Sequence, residues 1–267
     1  MISLPVLGLT LLLMAVVMNV AWAFQRQVGN SGWIDVFWTF GTGAAGIIAA
    51  LFPFAGDGAP STRQLLAAAI ILIWALRLGG YIARRVATSA EDARYARFRT
   101  VWGEGYQRTL YLFVMPQAAI TAVLCASIAS AANRPVAGLD GRDIAAAAIL
   151  LIAIAGEGLA DAQLAAFKKA GPPKGSVCDR GLWAWSRHPN YFFEWTLWLA
   201  WPVMGLDLTR PVSWLTLVAP IAMFGVLRFL TGVPPLEETM LASRGDTYRA
   251  YQARTSAFFP LPPKSGA

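Results

Sequence analysis

The chain has 267 residues, of which 57% are hydrophobic and only 14% are charged. A soluble domain carries about 25% charged and about 45–50% apolar residues, so a water-soluble core could not hide this much apolar surface. The composition therefore excludes an ordinary soluble protein and indicates an integral membrane protein. The formal net charge of +7 could suit a nucleic-acid binder, but the cations are spread among apolar blocks and form no basic helix or RNA motif. We therefore expect no nucleic-acid partner.

Seven apolar segments are long enough to cross a bilayer, which takes about 20 residues of helix. They predict an all-α bundle of seven transmembrane helices in one domain, at residues 3–24, 33–55, 63–83, 109–131, 142–166, 190–206 and 211–232. The sixth segment is the shortest, and Pro202 is expected to bend it. The first is expected to remain as a helix, because no signal-cleavage site follows it.

The cations predict the orientation of this bundle. With the C-terminus and the loops after helices 1, 3 and 5 in the cytoplasm, the opposite side keeps only four of the 22 Lys and Arg residues, namely Arg63, Arg134, Arg142 and Arg210. Because cytoplasmic loops carry the excess of Lys and Arg, the sequence predicts an outside N-terminus and a cytoplasmic C-terminus. The polar site is then expected to face the cytoplasm.

Two sequence patterns are interpreted as structural. Residues 41–46 match the G-x-G-x-x-G pattern, but a dinucleotide loop needs a preceding strand, whereas these glycines lie inside a predicted spanning helix. Small residues there allow close helix packing.

Cys125 and Cys178 cannot build a disulfide framework or a zinc site, and a single histidine excludes a multi-histidine centre, so no metal site is predicted.

Ionisable groups inside spanning segments are costly, so they mark candidate functional positions. Four groups lie towards the predicted cytoplasmic half: Asp35 with Trp38; Arg77, Tyr81, Arg84 and Arg85; Glu157, Asp161 and Lys168; and Arg187, His188, Asn190, Tyr191 and Glu194. Structural ion pairing between helices is the alternative for any single residue. Together, the four groups predict a polar cavity that opens to the cytoplasm.

Residues 187–194 have the features of an anion site. Pro189 suits the first turn of a helix, and the free N–H groups of that turn, with Arg187 beside them, are of the kind that bind phosphate. Asn190 and Glu194 lie one turn apart and could bind an amide or ribose hydroxyls. This segment predicts a dinucleotide or another phosphorylated cofactor, with interfacial anchoring by Arg187 and His188 as the alternative.

Residues 181–194 resemble the R-H-P-N-Y-x-x-E signature of bacterial membrane proteins in the steroid 5α-reductase superfamily. Residues 35–38, 77–79 and 91–95 also resemble that family, as does the C-terminal segment with Glu237, Glu238, Tyr248, Tyr251 and Pro260. The resemblance implies NADPH-dependent reduction of the C=C bond of a 3-oxo-Δ4-steroid or a similar enone, in a bacterial inner membrane. The implied partners are a hydrophobic substrate entering from the bilayer and membrane lipids, with no obligate protein partner.

The resemblance also implies roles for individual residues. Asn190 and Glu194 would hold the nicotinamide, and the other implied cofactor-binding residues are Tyr191, Arg187, His188, Asp161, Lys168, Arg84, Arg85, Arg94, Tyr95, Glu237 and Glu238. In the family, an acid on helix 2 and a tyrosine on helix 3 hold the substrate ketone. Asp35, with Trp38, matches the acid, whereas alignment on Arg77 puts Trp74 at the tyrosine position and leaves Tyr81 as the candidate. A carboxyl group donates to a ketone only when it is protonated.

Two other classes of protein share part of this pattern. Membrane methyltransferases of the isoprenylcysteine or phospholipid type resemble the chain in the R-H-P-x-Y helix and the Glu-Glu segment but bind S-adenosylmethionine. The matches at Asp35, Trp38 and residues 91–95 lie outside that shared region and favour the reductase. A non-catalytic lipid-binding or transport protein would explain the hydrophobicity but not the clustering of Arg187, Asn190 and Glu194.

Overall fold

The computed structural model describes residues 4–52 and 58–264, and the prediction of an all-helical chain is confirmed there. No strand forms within these ranges, although an isolated bridge joins Ser186 to Ser256. Residue 3 of the first predicted helix and residues 53–55 of the second lie outside the described residues.

The helices take the following bounds in chain order: α1 Leu4–Val28, α2 Trp33–Leu51, α3 Thr62–Thr88, α4 Ala93–Trp102, α5 Tyr106–Val114, α6 Pro116–Ala132, α7 Gly141–Lys169, α8 Leu182–Trp185, α9 Pro189–Trp198, α10 Ala200–Gly205, α11 Val218–Gly225, α12 Val233–Arg244 and α13 Asp246–Arg254. Gly103–Gly105 and Pro211–Leu217 are 3₁₀-helical, and Val226–Leu230 is π-helical.

Within the described residues, six helical runs are long and apolar enough to cross a membrane: Leu4–Val28, Trp33–Leu51, Thr62–Thr88, Arg94–Ala132, Gly141–Lys169 and Pro211–Arg244. They support a multi-pass membrane protein. The predicted span at 190–206 is not among them, because the helix breaks at Leu199 into α9 and α10. Pro202 offers no N–H to the carbonyl of Trp198, four residues earlier, and its ring crowds that carbonyl.

Close packing divides the chain into two compact units. Unit 1 comprises residues 1–148 and 199–222, and unit 2 comprises residues 149–198 and 223–267. In unit 1, α2 is the central helix and packs against α1, α3 and α6. In unit 2, α8 packs against α9, and α12 packs against both α13 and the π-helical turn.

Glycines let α2 approach its neighbours closely. A Cβ on Gly43 would lie 2.4 Å from the Cβ of Ala75 on α3, and a Cβ on Gly41 would lie 2.8 Å from the side chain of Val17 on α1. Nearly all Cβ contacts in proteins are longer than these two distances. A side chain at Gly41 or Gly43 would therefore clash with the neighbouring helix. The interpretation of residues 41–46 as a packing surface is confirmed.

We expect Gly43→Leu to separate α2 from α3 and to lower the free energy of unfolding by about 3 kcal/mol, because an overpacked interface forces backbone shifts. Gly80→Leu is the matched control, since Gly80 lies in α3 and nothing would come within 4 Å of its Cβ. Thermal unfolding in detergent measures both. Equal melting temperatures for the two variants would contradict the packing role of Gly43.

Candidate functional site

The loop that precedes α9 in unit 2 is built on the end of α7. The indole N–H of Trp183 donates to the carbonyl of Ala160 at 2.9 Å, and the backbone N–H of Leu182 donates to Oε1 of Gln163 at 2.9 Å. Gly181 has a φ of +59°, in the left-handed region that favours glycine, and a Cβ there would lie 2.5 Å from the Gln163 amide. The loop is therefore fixed at both its backbone and its side chains.

Arg187 and His188 in this loop meet the C-terminal segment at Glu237. Nε of Arg187 donates to Oε1 of Glu237 at 2.7 Å, and Nε2 of His188 lies 3.2 Å from the same oxygen. The other carboxylate oxygen accepts from the amide of Gln252 at 2.8 Å. Both carboxylate oxygens of Glu237 are thus engaged within unit 2.

The guanidinium of Arg187 donates several further hydrogen bonds within the protein. Its Nη1 donates to the carbonyls of Gln252 and Thr255, and its backbone N–H donates to the carbonyl of Ser256 at 2.8 Å. Arg187 therefore joins the loop to the C-terminal segment.

Helix α9 begins at the predicted anion site and buries an acid one turn later. Pro189 is its first residue, and the imidazole of His188 stacks on the ring of Tyr191 with centroids 5.6 Å apart. Glu194 is buried and accepts from the indole of Trp198 at 3.1 Å, while Asn190 is half-buried. A polar surface with one buried carboxylate therefore runs along the first turns of α9.

Helix α7 contributes two more buried acids to unit 2. Glu157 and Asp161 lie one turn apart, each less than a tenth exposed. A Cβ on the adjacent Gly156 would lie 2.3 Å from the ring of Phe193, so α7 and α9 pack closely here. Lys168, on the last turn of α7, and Glu238, beside Glu237, are exposed. Buried acids are costly, which is why this face of unit 2 is the candidate cofactor site.

The predicted substrate acid, Asp35, lies in unit 1 and accepts hydrogen bonds from Arg94 and Tyr95. Nη2 of Arg94 donates to Oδ2 of Asp35 at 2.7 Å, and the hydroxyl of Tyr95 donates to Oδ1 at 2.8 Å. Arg94 is itself held by Asp92 at 3.0 Å. Both carboxylate oxygens of Asp35 are therefore engaged by charged or polar side chains of the protein. The catalytic role of Asp35 stays a prediction.

The other predicted substrate residues have different partners. Tyr81 is 38% exposed and lies between the guanidinium groups of Arg77 and Arg85, at 5.7 and 6.0 Å from its ring centre. Trp38 donates to the hydroxyl of Thr121 at 3.1 Å and packs edge-on against Trp74. Arg84 and Arg85 are exposed, and Arg85 pairs with Asp92 at 3.3 Å. The catalytic roles of Tyr81 and Trp38 stay predictions.

Two participants and one pairing had not been recognised from the sequence. Gln252 supports Glu237 and Trp198 supports Glu194. Arg94 had been named as a cofactor-binding residue, but its ion pair with Asp35 had not been predicted. Only Trp198 had a local signal, because it follows Glu194 by four residues in one helix. The other two pairings join residues distant in sequence.

Burial lowers the pKa of His188, and the hydrogen bond with Glu237 only partly opposes this. The unfolded chain protonates this imidazole near pH 6.5, whereas the folded chain does so only at lower pH. We therefore expect the contribution of His188 to the free energy of unfolding to be complete above about pH 6.5. This contribution should be lost as the pH is lowered through that value.

Melting temperatures between about pH 7.5 and 5.5 test this expectation, because His188 is the one histidine of the chain and the ordinary pKa of histidine lies in that window. His188→Gln should give a flatter dependence than the unmodified protein. Identical slopes would mean that the folded imidazole takes up its proton as readily as the unfolded one.

Comparison with known proteins identifies the family. The family described as "Protein of unknown function (DUF1295)" matches residues 21–255. An uncharacterized protein of Schizosaccharomyces pombe is 26% identical over 279 residues, which cover 94% of this chain and 78% of that protein. No solved structure matches the chain significantly. The chain belongs to the DUF1295 family, within the steroid 5α-reductase-like superfamily of membrane proteins.

Proposed function

We propose that this protein reduces the C=C bond of an α,β-unsaturated ketone, most simply a 3-oxo-Δ4-steroid or related lipid enone, with NADPH as the reductant. The observation that carries the proposal is the R-H-P-N-Y-x-x-E segment, which is fixed to α7 and to Glu237 and buries Glu194 one turn inside α9. The membership in a reductase-like superfamily supports the same reaction.

The side chains of unit 2 fit a dinucleotide by their chemistry. A carboxamide needs both an acceptor and a donor, which Glu194 and Asn190 supply one turn apart on α9. Phosphates need cations, and Lys168, Lys174, Arg180 and Arg228 make no ion pair with the described residues. When bound, NADPH would supply the hydride that adds to the β-carbon of the enone, and a proton completes the reduction at the α-carbon.

Unit 1 supplies the residues proposed for the ketone. Negative charge develops on the carbonyl oxygen during reduction, and a preorganised donor there lowers the barrier. Because Asp35 already accepts from Arg94 and takes the single hydroxyl proton of Tyr95, we assign Asp35 and Tyr95 a positioning role and assign the donor role to the Arg94 guanidinium. The apolar helices around them would admit a substrate that dissolves in the bilayer.

Substitution of these residues and of Tyr81 tests this assignment. Arg94→Gln should lower the single-turnover rate of enone reduction by about 10²-fold, the effect of losing one transition-state donor. Tyr95→Phe and Asp35→Asn, which remove groups that position Arg94, should each lower the rate by about 10-fold. Tyr81→Phe should leave the rate within about threefold of the unmodified protein. The opposite order of the two tyrosine variants would return the donor role to Tyr81.

Ligand-dependent stability tests the reaction class itself. The detergent-purified protein is titrated with NADPH, NADH and S-adenosylmethionine while thermal unfolding is followed. We expect selective stabilisation by NADPH, and Asn190→Ala together with Glu194→Gln should abolish it, whereas Arg249→Gln on the exposed face of α13 should not. Stabilisation by S-adenosylmethionine would instead support a methyltransferase, and no response to any ligand would support a non-catalytic lipid-binding protein.

A further inference from the structure

The four arginines that the sequence analysis leaves on the non-cytoplasmic side gather at one end of unit 1. Helices α1, α3 and α7 begin at this end, and α2 and α6 finish there. Arg63 and Arg142 occupy the first turns of α3 and α7, while Arg134 and Arg210 lie just after α6 and α10. The few cations of this side are thus collected in one place.

Two of these arginines form a closed ionic network. Nε and Nη2 of Arg63 donate to the two carboxylate oxygens of Asp143 at 2.9 and 3.0 Å. Nη2 of Arg134 lies 3.0 Å from Asp143 and 2.8 Å from Asp140. Two cations therefore balance two acids, and the network adds no net charge.

The positive charges of the other two arginines, Arg142 and Arg210, are only partly balanced by a nearby acid. Arg142 donates to the carbonyls of Pro202, Val203 and Leu206, which are neutral. The guanidinium of Arg210 makes no hydrogen bond with the described residues. The nearby Asp207 is engaged by the backbone N–H and hydroxyl of Thr209 at 2.9 and 2.7 Å. This leaves an excess of one positive charge.

A cavity of about 180 Å³ opens between these arginines. Its lining includes Arg134, Arg142 and Arg210. The remaining positive charge points to an anionic ligand.

The rest of the lining shows what kind of anion fits. Val6, Phe52 and Val212 give the cavity an apolar side, and they lie at the ends of helical runs long enough to span a membrane. At this depth hydrocarbon meets the lipid head groups. A cationic pocket between helices at that boundary suits the head group of an anionic lipid.

We propose that this cavity binds the phosphodiester of an anionic phospholipid, with Arg210 as the donor and with the lipid chains against Val6, Phe52 and Val212. The volume accommodates the phosphate and its glycerol but not the whole lipid. The site belongs entirely to unit 1, so lipid binding requires neither the cofactor nor the proposed reaction.

The experiment measures phosphatidylglycerol retained by the full chain in native mass spectrometry and the accompanying rise in melting temperature. Arg210→Gln removes the available donor, and Val212→Trp fills the cavity without changing its charge. Each should weaken the apparent affinity about tenfold, the effect of one charge-assisted hydrogen bond or of excluded volume. Arg108→Gln removes an exposed cation on α5 that makes no hydrogen bond to any residue the structure describes, and it should change the affinity less than twofold.

The comparison ligands are phosphatidylcholine, glycerol phosphate and inorganic phosphate at equal concentration. Binding of phosphatidylglycerol in preference to all three supports the proposal. Equal stabilisation by inorganic phosphate would show that the cavity binds free phosphate. Equal binding of phosphatidylcholine would show that the net charge of the lipid does not determine binding. Equal effects of Arg210→Gln and Arg108→Gln would show general surface attraction, and any of these three results overturns the proposal.

Discussion

Replacing Asp143 with alanine is expected to lower the free energy of unfolding by about 3–5 kcal/mol, because it leaves two buried arginines without their shared acid. The Asp143 side chain is fully buried, and the Arg63 side chain is 3% exposed. The same carboxylate also accepts from the backbone N–H of Asp140 at 2.9 Å. Thermal and denaturant unfolding in detergent, followed by circular dichroism, measure the loss.

An ion pair on the surface provides the control. Asp246 and Arg249 lie 2.6 Å apart on α13, with side chains 95% and 69% exposed. Asp246→Ala should therefore cost less than about 1 kcal/mol. If both aspartate variants lose the same stability, burial does not strengthen the Asp143 network. A variant in which Asp143→Ala is combined with Arg63→Met should recover part of the loss, since the unpaired charge is then removed.

Replacing Arg187 with lysine is expected to destabilise unit 2 by about 2–3 kcal/mol. The guanidinium bonds at once to Glu237 and to two carbonyls of the C-terminal segment, whereas a lysine ammonium is a point charge that cannot reach all three acceptors. Limited proteolysis should cleave residues 245–264 faster in the variant, and its melting temperature should fall.

Arg254→Lys is the matched control for this substitution. Arg254 also lies in unit 2 and pairs with Asp179 at 2.6 Å, but both side chains are more than a third exposed. We expect this variant to change stability by less than about 1 kcal/mol. An Arg187→Lys variant that keeps its stability but loses the NADPH-induced rise in melting temperature would show that Arg187 serves the cofactor rather than the fold.

The sequence predicted the long spanning helices well because their signal is local. The segments predicted at 63–83 and 142–166 extend in the structure to Thr62–Thr88 and Gly141–Lys169. Continuous apolar composition over some 20 residues leaves little choice of structure in a membrane. The segment at 190–206 was predicted as one helix because its composition is equally apolar, but a single proline decides its continuity.

The site was predictable in its residue types and less so in its pairings. The clustering of residues 187–194 followed from the sequence, and the family resemblance named Glu237. The contacts of Arg187 and His188 with that acid were not predicted. The partner of Asp35 did not follow, because Arg94 lies 59 residues away and spacing within one helix says nothing about contacts between helices. Asp143 was overlooked because charged residues at the ends of spanning helices are ordinary.

The bonds between Arg187 and the C-terminal segment have a consequence for biosynthesis. Arg187 needs the carbonyl of Thr255, which is translated 68 residues later. At about 5–20 residues per second, the loop before α9 waits roughly 3–14 s for that acceptor. During this interval Arg187 and His188 have entered the nascent chain without the segment that fixes them. Synthesis of α9 therefore precedes completion of its own site by this interval.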